Sequence, residues 1–192
     1  MNNPRSLQFL FLFAVLLLAS LYIFPLWKIT LLAPQYPNGV EMHIHIDKIG
    51  GKEPGTLQNI NILNHYIGMK PIEPDSIPEL KILPIVIISF LISGILIALT
   101  NNKYLFAFWA CMLIIGGIIG MYDFYLWEYD YGHNLDPKAP MSFDESFQPP
   151  LIGKKDIINF TAISLPHIGG WCAIASIILS SLASYLKFKH DK

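Results

Sequence analysis

Charge is what this chain has least of. Asp, Glu, Lys and Arg make up 14% of its 192 residues, against about 25% in an average soluble domain. A deficit of that size excludes water as the sole solvent of the folded surface. Cysteine is nearly missing as well, with Cys111 and Cys172 alone. No CxxC exists, so thioredoxin-like redox chemistry and a thiolate zinc site lack support, and without CxxCH there is no covalent haem. Both cysteines fall within apolar runs, which fits small packing residues better than a disulfide. Also missing are a P-loop, a GxSxG elbow, an HExxH helix and a dinucleotide fingerprint. No internal repeat or low-complexity tract is visible, and the length leaves room for one compact unit.

What the chain has is long apolar runs. About 20 apolar residues cross roughly 30 Å of hydrocarbon. Runs of that kind cover residues 7–27, 82–100, 104–121 and 160–186, and they predict an all-α integral membrane protein of about four transmembrane helices. Residues 122–131, opening with an aromatic cluster that suits the membrane interface, extend the third helix. The fourth run contains Pro166 and the Gly169–Gly170 pair, which predicts a bend or a late start at its outer end. Arg5 and the apolar residues after it also fit the n- and h-regions of a signal peptide. The run continues through Phe24, Leu26 and Trp27 with no small-x-small cleavage site, which argues for a retained anchor.

Basic residues set the orientation. Arg5, Lys103, Lys187, Lys189 and Lys192 concentrate in the short N-terminal, hairpin and C-terminal pieces. The positive-inside rule then places both termini in the cytoplasm of a bacterium and residues 28–81 and 122–159 in the periplasm. The acidic residues, all but Asp191 in those two outer segments, make a nucleic-acid surface untenable.

In the first outer segment, Tyr36-Pro37-Asn38-Gly39 predicts a turn. From Val40 to Ile46 the residues alternate, with Val40, Met42, Ile44 and Ile46 on one face and Glu41, His43 and His45 on the other, the pattern of a half-buried strand. Residues 57–62 read as a return strand and 64–69 as one helical turn. In the second outer segment, residues 134–150 read as a surface loop.

Histidine placement carries the chemistry. His43 and His45, two apart on a strand, share a face, and His65 and Met69, four apart, share a face on a helical turn. Imidazole with thioether suits copper, above all Cu(I). Asp130 and His133 form a second candidate metal pair or proton relay at the end of the third helix. Each set also has a plainer reading, as the wet face of a strand and as a solvated helix end. His167 is the sole histidine at membrane depth, which leaves a bis-histidine haem without its second ligand.

Three stretches carry a resemblance. They are Tyr36-Pro37-Asn38-Gly39 with Met42, Leu63-Asn64-His65-Tyr66-Ile67-Gly68-Met69, and Tyr131-Gly132-His133-Asn134-Leu135-Asp136-Pro137. With the apolar profile, they resemble the NosB family of small transmembrane accessory proteins encoded beside Sec-exported nitrous oxide reductases. The resemblance covers most of the chain. It implies a cytoplasmic-membrane accessory of denitrification, whose partners are the lipid bilayer, a periplasmic copper enzyme and other membrane accessory proteins. It implies no particular ligand residues. The expected function is therefore a non-enzymatic copper-binding or copper-transfer accessory, with His43, His45, His65 and Met69 as first ligands. A metal-free scaffold or electron-transfer partner is the second expectation. The third is a copper-dependent oxidase subunit built on Asp123, Asp130, His133 and His167.

Overall fold

The computed structural model of the protein describes residues 4–140, 148–157 and 160–190. Helix α1 (Pro4–Leu17) runs into a 3-10 turn over Leu18–Tyr22 and then into strand β1 (Trp27–Ala33). Strands β2 (Tyr36–Ile44) and β3 (Ile49–Gly51) and helix α2 (Thr56–Ile67) follow. Helices α3 (Glu79–Thr100) and α4 (Lys103–His133) form a hairpin, and strands β4 (Gly153–Ile157) and β5 (Phe160–Pro166) lead into α5 (Ile168–His190). The five strands make one antiparallel sheet in the order β3-β2-β1-β5-β4.

This sheet corrects the all-α expectation: the molecule is mixed α/β. Two of its strands were hidden at the ends of apolar runs. Trp27 begins β1 instead of ending the first helix, and Phe160–Pro166 is β5 instead of the outer part of the fourth. Strand β5 is hard to read because its burial is inverted. Ser164 is buried while Leu165 is exposed. Residues 57–62 belong to α2, whose buried Thr56, Ile60 and Asn64 repeat every four residues, a helical period. The turn falls at Pro34–Gln35, and Tyr36-Pro37-Asn38-Gly39 opens β2 instead. Gly39 there adopts φ +79°, beside a register shift in the β1–β2 ladder. Of the loop expected over 134–150, residues 141–147 lie outside the described residues.

Among the described residues, four helices are long and apolar enough to cross a membrane. Their outward faces are apolar too, as at Leu99 (76% exposed) and Ile118 (65%). Contiguous apolar surface of this extent needs lipid, and the protein is a multi-pass membrane protein. Inside the bundle, Phe11 stacks on Phe106 at 4.0 Å and meets Trp109 edge-on at 5.2 Å. Lipid tails are as apolar as these side chains, so dispersion and close approach hold the helices together more than expulsion of water. Small residues permit that approach. Ser176 donates 2.6 Å to the Ala14 carbonyl, and a Cβ on Gly94 would sit 2.7 Å from Val15.

One end of the bundle holds the N-terminus of α1, the α3–α4 turn and the C-terminus of α5. Gln8 donates to the Ala98 carbonyl at 3.2 Å, and Tyr104 packs edge-on against Phe188. The sheet and α2 cap the other end. Helix α4, 31 residues long, spans about 46 Å at 1.5 Å per residue. That is about 16 Å more than the hydrocarbon core, and Phe124, Trp127 and Tyr131 in its last part pack their side chains with Trp27, Ile29 and Met42 of the sheet. Trp27 accordingly meets Phe124 edge-on at 5.6 Å.

Candidate histidine site and buried-acid cavity

Three histidines gather where β2 and β5 end. His43 on β2 lies opposite Lys28 on β1, which in turn lies opposite Leu165 on β5. His43 faces away from α2, and His45 and His167 directly follow the last residues of β2 and β5, Ile44 and Pro166. The His43 and His167 rings come within 5.1 Å, centroid to centroid, tilted by 52°. The His167 backbone is fixed by its N–H, which donates to the Leu26 carbonyl at 3.1 Å.

Two ring nitrogens of this pair, His43 Nε2 and His167 Nδ1, are buried and lack a hydrogen-bond partner among the described residues. Glu41 approaches His43 Nε2 at 3.5 Å, too long for a good hydrogen bond but close enough to contribute negative charge. Burial holds His167 below the ordinary imidazole value; His43 and Lys28 add to the effect and Glu41 opposes it. Burial likewise lowers His45, followed by Lys48, with Asp47 opposing and His43 and His167 adding. Neutral imidazole, the form favoured by a lowered value, is the form that binds a metal.

The other expected ligands do not join this group. Helix α2 packs its Ile60 and Leu57 with Val40 and Met42 on the opposite sheet face, so His65 is separated from His43 by the sheet itself. His65 and Met69 do not share a helical face either, because Gly68 ends α2 in the left-handed conformation at φ +80°. His65 is exposed, while Met69 packs near Ala162. Asp130 is bound by Lys70 Nζ at 2.8 Å and by Asn134. The His133 ring stacks on Tyr129 at 3.9 Å. Among the described residues, no group of three or more His, Cys, Asp or Glu side chains forms a ready-made metal site.

Two of the three stretches behind the resemblance meet in space. The Asp136 N–H donates to the Gly68 carbonyl at 2.8 Å, and Tyr131 Oη donates to the Pro71 carbonyl at 3.2 Å. A Cβ on Gly68 would fall 2.9 Å from the Asp136 carbonyl, so glycine serves both the left-handed turn and this close approach.

Beside that junction, between the inner sheet face, α2 and the end of α4, lies a cavity of about 170 Å³. Met42, Met69, Trp127, Tyr131 and Asn64 line it, together with Glu128. Glu128 is 1% exposed, and neither carboxyl oxygen has a hydrogen-bond partner among the described residues. In the sequence Glu128 stands between the more exposed Asp123 and Asp130. The signal that separates it is helical: Trp127 and Tyr131 flank it on the face of α4 turned toward the sheet. No protein-family model, curated protein or solved structure matches the chain.

Proposed function

We propose that the protein is a non-enzymatic membrane accessory that holds copper transiently on the outer face of its sheet, between His43 and His167, with His45 alongside. One observation carries the reading: two neighbouring imidazoles each keep a buried nitrogen without a partner among the described residues. A buried polar atom left unpaired costs on the order of 1–3 kcal/mol, and a metal bound between the two rings offsets that cost. Imidazole nitrogen is a copper ligand, and Glu41 supplies compensating charge. Two imidazoles leave the coordination sphere open, which transfer to another protein requires. The resemblance to the NosB family supports a periplasmic multicopper reductase as recipient, and the basic-residue bias supports a periplasmic sheet.

The test is copper content after purification in mild detergent, with and without added Cu(I). Near-stoichiometric copper is expected in the wild type and in His65→Ala, with loss in His43→Ala/His167→Ala. Copper at background in the wild type, or retained in the double variant, refutes the proposal.

A further inference from the structure

The cavity around Glu128 is independent of the histidines and lies on the other face of the sheet. Three observations bear on what it takes. The first is size. A cavity of about 150 Å³ admits benzene, so the roughly 170 Å³ here admits a six-membered ring with a small substituent. The second is the wall. Trp127 and Tyr131, their rings 4.4 Å apart, present aromatic surface, and Met42 and Met69 present thioethers. Both kinds of group favour a flat aromatic guest over an alkyl chain. The third is the acid. Among the described lining residues, Glu128 is the one side chain with two buried, unpartnered oxygens, and such a group is costly until a donor reaches it.

We propose that this cavity binds a small hydroxylated aromatic ring, with the ring between the aromatic and thioether walls and its O–H donating to Glu128. A hydroxyl fits better than an ammonium group. A buried ion pair must strip water from both charges, whereas a hydroxyl loses far less on leaving water. A guest of this chemistry has two sources. It is the hydroquinone head of a lipid-soluble quinol entering from the bilayer along α4, or a free phenol entering from water.

Equilibrium binding to the full chain tests this, with 4-methylphenol and toluene as matched probes differing by the hydroxyl. In detergent the wild type is expected to bind 4-methylphenol saturably, one per chain, at least tenfold more tightly than toluene. Glu128→Leu is expected to reduce that preference to within about twofold while still binding toluene. Ala33→Phe, placed on the cavity wall, is expected to exclude both probes. If Glu128→Leu fails to fold, Glu128→Gln keeps the shape and a neutral acceptor, and is expected to bind 4-methylphenol with a reduced preference. Absence of saturable binding in the wild type overturns the proposal, as does an undiminished preference in the Glu128 variant that folds. A decyl-tailed hydroquinone in lipid nanodiscs separates the sources. Tighter binding than 4-methylphenol identifies a bilayer guest, and exclusion identifies an aqueous one.

Discussion

Trp27 and Ser164 lie 137 residues apart and share a buried hydrogen bond, indole Nε1 to Oγ, at 2.8 Å. It ties β1 to β5 where each strand joins its transmembrane helix. Ser164 Oγ passes its own hydrogen to the Leu151 carbonyl at 3.1 Å. Trp27→Phe removes the donor but keeps an aromatic ring near Phe124, and is expected to cost about 1 kcal/mol. Ser164→Ala strands the buried indole N–H and is expected to cost more, about 1–3 kcal/mol. A double-mutant cycle followed by denaturation in micelles checks the pair. The double variant should lose less than the two single losses added together, and strict additivity would show that the bond is energetically idle.

Glycines in α4 separate packing from propensity. A Cβ on Gly132 would lie 2.5 Å from the Gln148 backbone, whereas Gly120 has open space. Gly132→Ala is expected to destabilise by about 1–3 kcal/mol. Gly120→Ala is expected to be neutral or to gain up to about 1 kcal/mol from helix propensity. Thermal melts in one detergent compare the two, and equal effects would contradict the close approach of residue 148 to α4.

Acid should weaken the histidine face. His45 and His167 both titrate below the ordinary 6.5 in the folded chain. As pH falls below that value, the unfolded chain binds protons that the folded chain resists, so folding stability declines. The decline ends once pH has passed the lower folded values. His45→Gln/His167→Gln should flatten this limb of the stability profile. A wild-type protein that gains stability between pH 7 and 5 would reverse the assigned sign. Copper retention should fall with pH through the same window, because protons compete for the ring nitrogens.

Topology is open to direct labelling. In a background lacking Cys111 and Cys172, Lys52→Cys and Lys138→Cys should react with an impermeant maleimide in spheroplasts. Asn101→Cys, at the α3–α4 turn, should react only after permeabilisation. The reverse pattern would invert the protein in the membrane and place the sheet in the cytoplasm.

How much of this was legible follows from which signals are local. The spanning helices are continuous apolar runs, and the alternation that turns His43 away from Met42 is a two-residue period; both can be read from adjacent residues. Strands β1 and β5 cannot, because what makes them strands is pairing such as Trp27 with Pro166, and nothing near either residue announces the other. The same pairing carries His167 to His43. The expected partnership of His43 with His65 failed for a related reason, since only the placement of α2 decides which side of the sheet His65 occupies. Glu128 resembles its neighbours in sequence and differs from them only in what packs over it.

Strands β1 and β5, side by side at the middle of the sheet, continue almost directly from α1 and into α5, which pack on each other in the bundle. The extramembrane part is thus mounted on two adjoining posts and not tethered by a linker. A rotation of the sheet alone would have to break the β1–β5 ladder or part the two helices. The histidine face is therefore held in a fixed position relative to the α1–α5 pair, since His167 directly precedes α5 and its ring lies against that of His43.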